Sequence, residues 1–249
     1  MPTHSIAAIR TQVESRIGPR ASAAFDVHPR LSTATIPTGI DDIDRALGGI
    51  PVGAITELVA PRFISAGQKS IQAQLLARAT QEQVCALVDA TDSFDPKSAQ
   101  AIGVNLQRLL WARCSGRGMK GLEQAFQCAD LLLQGSGGFG AIIVDLAGLP
   151  PCFVRKVPLT TWFRFRAVVE KQDTALVFST PHPVTSTCSE LALALSTQRV
   201  QWSQATELCP TQARVLAGFA CKAEITRKRS FKKPVQPASH TLRSYPRLA

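Results

Sequence analysis

Residues 57–75 read ELVAPRFISAGQKSIQAQL, and this stretch decides the fold class. It begins in a β-type apolar run, passes through a loop that ends in Gly67-Gln68-Lys69-Ser70, and continues as a helical pattern. A strand, a loop and a helix N-terminus in this order bind phosphate in P-loop proteins, whose motif is G-x-x-x-x-G-K-[ST]. The stretch therefore predicts an α/β fold with a phosphate-type loop after its first central strand.

The loop departs from that motif at three points. Ala60 stands at the first glycine position, the loop is lengthened, and Gln68 separates Gly67 from the lysine. One added residue turns the lysine by about 100° around a helix of 3.6 residues per turn. We therefore expect a vestigial site with no bound cofactor, and binding of ATP with magnesium is the alternative. The candidate cofactor-binding residues are Gly67, Lys69, Ser70 and, from a later strand, Asp145.

Outward from this stretch, short apolar runs alternate with helical patterns. Strands are predicted at residues 54–59, 84–89, 108–112, 141–146 and 174–179. Helices are predicted at residues 69–81, 96–102, 118–134 and 160–171. This alternation indicates βαβ units and a mainly parallel central sheet flanked by helices. Asp145 ends one of these strands, where it would face magnesium or, alternatively, cap the following turn.

An N-terminal segment, residues 1–35, is predicted to be a short amphipathic helix with a linker. Its apolar residues recur at spacings of three and four, which places them on one face of a helix. This stripe must be buried, either on its own domain or on another subunit. The candidate partner-binding residues are Ile6, Ile9, Val13 and Ile17.

A basic C-terminal tail, residues 231–249, is predicted to follow a core at residues 36–230. Residues 214–249 hold nine Lys or Arg and one acidic residue, a net charge of +8 out of +10 for the chain. Such charge favours an anionic partner, with nucleic acid first, although basic tails also serve as solubilising ends. The candidate DNA- or phosphate-binding residues are Arg227, Lys228, Arg229, Lys232 and Lys233.

The composition argues against several other classes of protein. The seven cysteines are scattered without a C-x-x-C pair, so no metal site is expected, and a reducing compartment fits them best. No apolar run approaches the roughly 20 residues that span a bilayer, and the N-terminus lacks the pattern of a signal peptide. We expect a cytoplasmic protein without membrane contact.

Four stretches resemble the RecA family. IPTGIDDIDRALGGIPVGAITELVAP (36–61) is similar to the start of the RecA core, and VCALVDATDSFDPKSAQAIGVNLQRLLWAR (84–113) to its second and third strands with the helix between them. AIIVDL (141–146) resembles the strand on the magnesium side, and DTALVFST (173–180) the fifth strand. The resemblance covers about residues 36–230 and implies a RecA-like, P-loop-type core.

The resemblance also shows which functional groups are changed. The RecA glutamate that activates the attacking water falls at Thr91, which cannot act as a base, although Asp92 stands beside it. The amide that senses the γ-phosphate falls at Thr180 and Pro181. Both DNA-binding loops are shortened, to AGLPPCFVRKVPLTTW and PHPVTSTCSE. We therefore expect neither a catalytic residue nor strand exchange.

One stretch argues for a retained function. AEITRKRSF (223–231) resembles a late RecA strand whose alternating basic residues reach a nucleotide held by the adjacent subunit. Alternate residues of a strand share a face, so Arg227 and Arg229 would point together and Lys228 away. The two guanidinium groups either meet a phosphate across an interface or are surface charge.

A RecA-like core with these losses resembles the ImuA group, accessory proteins of damage-induced mutagenesis and translesion synthesis. That resemblance implies a non-catalytic protein whose partners are an ImuB-like polymerase relative and an error-prone polymerase. The uneven charge adds an expectation of weak single-stranded DNA binding, and self-association or contact with RecA is left open. The alternatives are a divergent RecA-family DNA-dependent ATPase or recombinase, and a SulA-like inhibitor of cell division.

Overall fold

The computed structural model describes residues 34–61, 66–135, 138–202, 216–228 and 239–244. Several predicted functional residues lie outside these ranges: Ile6, Ile9, Val13, Ile17, Arg229, Lys232 and Lys233. Residues 62–65 of the phosphate-type loop also lie outside them. The domain boundaries predicted near residues 35 and 231 stay predictions, because the flanking segments are not described.

The described elements follow the predicted alternation of strand and helix. The strands are β1 (Thr35–Ile36), β2 (Ile50–Pro51), β3 (Ala54–Val59), β4 (Val84–Asp89), β5 (Leu109–Arg113), β6 (Phe139–Asp145), β7 (Ala175–Thr180), β8 (Leu191–Trp202), β9 (Leu216–Lys228) and β10 (Ser239–Ser244). The helices are α1 (Asp41–Leu47), α2 (Gln68–Glu82), α3 (Pro96–Ile102), α4 (Met119–Gln134), α5 (Pro151–Val154) and α6 (Leu159–Val169).

Within the described residues, eight strands form one sheet in the order β10-β9-β8-β3-β7-β6-β4-β5. From β8 to β5, each strand is parallel to its neighbours. Strand β9 is antiparallel to both of its neighbours, β8 and β10. The predicted α/β fold with a mainly parallel central sheet is therefore confirmed. The parallel pairing brings the carboxyl ends of β3, β7, β6 and β4 to one edge, where ligands bind in such sheets.

Apolar side chains cover both faces of the sheet. Along β6, Ile142 and Val144 pack in the cluster that includes Leu122 of α4, while Ile143 packs in the cluster that includes Leu75 of α2. Alternate residues of a strand point to opposite faces, so one continuous apolar run supplies both clusters. Burying a side chain of this size contributes about 1.5 to 3 kcal/mol.

Asp95 and Pro96 explain where helix α3 begins. The Asp95 carboxylate accepts the backbone N–H groups of Lys97 at 3.1 Å and Ser98 at 3.2 Å, which caps the helix. Pro96 at the first helical position has no N–H that would need a partner. Gly103, at φ +109°, ends the helix in the left-handed region that suits glycine.

Part of the predicted basic tail, residues 231–249, is a strand. Ser239–Ser244 form the edge strand β10, which pairs antiparallel with β9. An edge strand is held through its backbone, so a stretch with few large apolar side chains can occupy one.

Candidate phosphate-binding site

The candidate site lies where β3 ends and α2 begins. Gly67 precedes α2 at φ +89°, a left-handed conformation that strains residues with a side chain. The N–H of Ala60 donates to the carbonyl oxygen of Thr180 at 3.1 Å, which joins the ends of β3 and β7. A glycine in the left-handed region therefore leads into α2 beside the parallel strand ends.

Gln68, at the start of α2, binds both of these strand ends. Its side chain is buried, and its amide nitrogen donates to the carbonyl oxygens of Leu58 at 3.0 Å and Thr180 at 3.1 Å. Both partners are acceptors, so the NH₂ group and not the amide oxygen must face them. The residue that interrupts the Gly-Lys pair is thus a clamp within the protein.

Lys69 and Asp145 meet directly. The Lys69 ammonium forms a short ion pair with Asp145 Oδ2 and donates to Ser93 Oγ at 2.6 Å. The other carboxylate oxygen of Asp145 accepts the N–H of Ala147 at 3.1 Å, so this side chain also caps the turn after β6. The Asp145 side chain is 1% exposed and that of Lys69 is 51% exposed.

A magnesium nucleotide would have to replace this ion pair, because the ammonium that would reach a phosphate is bound to the carboxylate that would bind the metal. The predicted ligands Lys69 and Asp145 are therefore brought together, but each satisfies the other. Ser70 is half-buried and lines a cavity of 200 Å³ between α2 and α3, whose walls are mostly apolar.

The strand end at β4 carries the position expected for the general base. Buried Asp89 accepts the N–H groups of Ser93 and Phe94, each at 2.8 Å, which shapes the loop that contains Thr91. Thr91 packs against Gly148, since a Cβ atom at residue 148 would lie 2.8 Å from Thr91 Oγ1. No carboxylate stands at residue 91.

Asp92 is turned toward a different partner. It has φ +53° and accepts two hydrogen bonds from Arg113, from Nε to Oδ1 at 2.7 Å and from Nη2 to Oδ2 at 2.5 Å. The hydrogen bond with Arg113 lowers the pKa of Asp92 below its ordinary value. Asp92 therefore stays a charged surface partner of Arg113.

Glu57 fixes the loop that follows β7. Its carboxylate is buried and accepts the hydroxyls of Thr180 at 3.0 Å and Thr185 at 2.5 Å. It also accepts the N–H groups of Val184 at 2.8 Å and Thr185 at 3.3 Å. Thr180, at the position expected to sense phosphate, thus points its hydroxyl at a carboxylate. Glu57 is not among the residues predicted from the sequence, because a glutamate in an apolar strand does not reveal its partners.

His182 lies in the same loop. Neither ring nitrogen has a hydrogen-bond partner among the described residues. Burial lowers the pKa of His182 and the nearby Arg155 lowers it further, while Glu57 acts in the opposite direction. The imidazole is therefore held toward its neutral form.

Two of the five predicted phosphate-binding residues lie in β9. Arg227 is half-buried and pairs through its backbone with Ala192 of β8. Lys228 donates from Nζ to the carbonyl oxygen of Leu47 at 3.0 Å, at the end of α1. Burial lowers the pKa of Lys228, and Glu190 opposes that effect. Lys228 therefore has a structural contact, and DNA binding by this group of residues stays a prediction.

Two absences apply to the described part of the chain. No group of three or more His, Cys, Asp or Glu side chains in these ranges could hold a metal ion. No helix there is long and apolar enough to cross a membrane.

The known proteins that this chain matches are consistent with its mainly parallel α/β sheet. Residues 4–152 match the RecA N-terminal domain family, a range that includes the segment with the apolar stripe. Protein RecA of Marinobacter nauticus is 34% identical over 151 residues, which are 59% of this chain and 41% of that protein. Protein RecA of Rickettsia massiliae is 34% identical over 151 residues and 42% of its length. The chain thus spans about two fifths of the length of these relatives.

Proposed function

Because the chain belongs to the RecA N-terminal domain family, we propose that it is a non-catalytic accessory protein of the DNA damage response, similar to the ImuA group. The observation that carries this proposal is the ion pair between Lys69 and Asp145. Hydrolysis of a nucleotide needs a lysine on the phosphates, a carboxylate for the metal and a group that positions the water. Here the first two are bound to each other, and the third position is Thr91.

What such a domain retains is its surface for other macromolecules. We propose that it docks on an ImuB-like polymerase relative and an error-prone polymerase, through the stripe Ile6, Ile9, Val13 and Ile17 or the C-terminal arm. Single-stranded DNA would bind weakly to the basic residues of β9 and the tail. The net charge of +10 supports an anionic partner, because cations that neutralise phosphates release counterions.

A pull-down combined with a hydrolysis assay tests the proposal. The purified full chain should retain an ImuB-like polymerase relative and release no phosphate from ATP, with or without single-stranded DNA. Failure to retain any polymerase component, together with DNA-stimulated hydrolysis, would reject it.

A divergent DNA-dependent ATPase is the second candidate. Its support is the 34% identity to Protein RecA and the presence of Lys69, Ser70 and Asp145 in the family's site. Lys69→Ala separates the two functions, since it should abolish any turnover of an ATPase and leave a docking protein's partner binding unchanged.

A further inference from the structure

A continuous set of hydrogen bonds joins the start of α2 to the loop after β7. Gln68 donates to the carbonyl oxygen of Thr180 at 3.1 Å, and Gln72 donates from Nε2 to Ser179 Oγ at 2.5 Å. Both glutamines are buried, and both of their partners belong to the last two residues of β7. Helix α2 is therefore fixed to the end of β7 by two amide side chains.

The same strand end is fixed from its other side. The Thr180 hydroxyl donates to Glu57, which also accepts the N–H groups of Val184 and Thr185. A carboxylate with four donors at hydrogen-bond distance in a buried position holds them firmly, because any one of them would be costly to leave without a partner. Every hydrogen bond in this set, from α2 to residue 185, therefore joins one protein group to another.

This path has a consequence for any response to a nucleotide. A ligand shifts a conformational equilibrium only by contacts that differ between the two states. At this strand end the carbonyl and hydroxyl of Thr180 already have partners from the protein, and the amide of Gln68 is hydrogen-bonded to both β3 and β7. A nucleotide would have to compete with these contacts of Thr180 to move the loop.

We infer that Gln68 replaces a nucleotide as the group that sets the loop at residues 181–185, so that the loop keeps one conformation whether or not ATP is present. The inference shares with the proposed function only the view that the site works without nucleotide. It does not depend on which partner the protein binds.

Hydrogen exchange at the amides of Val184 and Thr185 tests this inference in the full chain. In the unmodified protein, millimolar ATP with magnesium should change their exchange rates by less than twofold. Gln68→Ala removes both donors and should raise those rates at least tenfold. Gln127→Ala, on the exposed face of α4, is the matched control and should leave them unchanged.

A second variant covers the case in which Gln68→Ala does not fold. Thr180→Val keeps the carbonyl and the side-chain shape but removes the hydroxyl that donates to Glu57. It should also raise exchange at Val184 and Thr185. The inference is overturned if ATP with magnesium protects these amides in the unmodified protein, or if the folded variants exchange at its rate. A failed polymerase pull-down with this exchange pattern intact would reject the proposed function alone.

Discussion

Arg113, the last residue of β5, holds Asp92, the residue after Thr91, in a two-point contact with nitrogen–oxygen distances of 2.7 and 2.5 Å. The pair is exposed, so it contributes little to the free energy of unfolding. The contact instead fixes where the Asp92 carboxylate points, because both of its oxygens accept hydrogen bonds from Arg113.

The first prediction concerns the restoration of a general base at residue 91. Thr91→Glu should not produce ATP hydrolysis, because Lys69 and Asp145 are still paired with each other and Gln68 is still bound to the ends of β3 and β7. Phosphate release with single-stranded DNA present is the measurement, and Thr91→Gln is the matched control. Turnover in the glutamate variant above that of the glutamine variant would show that the site is open.

Replacing Lys69 and replacing Asp145 should lower the free energy of unfolding by different amounts. Lys69→Met leaves a buried carboxylate without its cation and should lower the free energy of unfolding by about 2 kcal/mol, below the range for fully buried pairs because Lys69 is half-exposed. Asp145→Asn leaves an ammonium that can reach solvent and should cost about 1 kcal/mol. Urea unfolding of both variants and the double variant gives the coupling. Equal losses that add in the double variant would contradict the pairing.

The loop after β7 should lose stability in acid. The pKa of His182 is lowered in the folded state, so the unfolded chain binds a proton at a pH where the folded chain does not. Stability linked to His182 is therefore present above the ordinary histidine pKa of about 6.5 and declines as the pH falls below it. Thermal melting between pH 7.5 and pH 5 should show a steeper decline than that of His182→Asn. If the melting temperature falls equally with pH in both proteins, His182 does not contribute to the loss of stability in acid.

The salt dependence of the affinity for single-stranded DNA should show how many phosphates the basic residues contact. Each phosphate contact contributes about 0.7 to the slope of log affinity against log salt on single strands. Because Lys228 is bound to the carbonyl of Leu47, four of the five basic residues remain, and a slope of about 2.8 is expected. Replacing Arg227, Arg229, Lys232 or Lys233 by Gln should each reduce it, while Lys228→Gln should change it least. A slope unaffected by all five replacements would place DNA elsewhere or nowhere.

The apolar stripe near the N-terminus should be a docking surface. Ile9→Asp and Val13→Asp introduce charges on one helical face and should weaken retention of an ImuB-like partner at least tenfold with an unchanged melting temperature. Thr11→Asp, on the opposite face of the same helical pattern, is the control and should bind normally. A collapsed melt in the two stripe variants would mean instead that the stripe packs on its own core.

The sequence predicted the parallel part of the sheet well because its strands are continuous apolar runs. The strand at residues 84–89 and the helix at residues 96–102 have the predicted bounds, since an apolar run and an Asp-Pro cap define them locally. Strand β8 was missed, because after its apolar start LALAL it continues through polar residues that lie at the exposed end of the sheet.

At the site, local patterns identified the altered loop but not its contacts. The sequence shows that Gln68 interrupts the motif, and from that we predicted a weakened site. It could not show that the amide binds Thr180, which lies 112 positions away and reaches Gln68 only through the strand order. The partners of Glu57 were hidden in the same way, since they lie more than 120 positions further along the chain.

The aromatic packing beneath β7 gives the protein an optical probe of its own. Trp162 is 1% exposed and lies with its ring centroid 5.0 Å from that of Phe178, two residues before Thr180. Trp202, by contrast, is 56% exposed at the end of β8. The two indoles should therefore emit at different wavelengths, and a soluble quencher such as iodide should reach Trp202 but not Trp162. In a Trp111→Phe variant, which removes the third indole of the chain, the shielded component of the emission follows the end of β7 in a cuvette, without any added label.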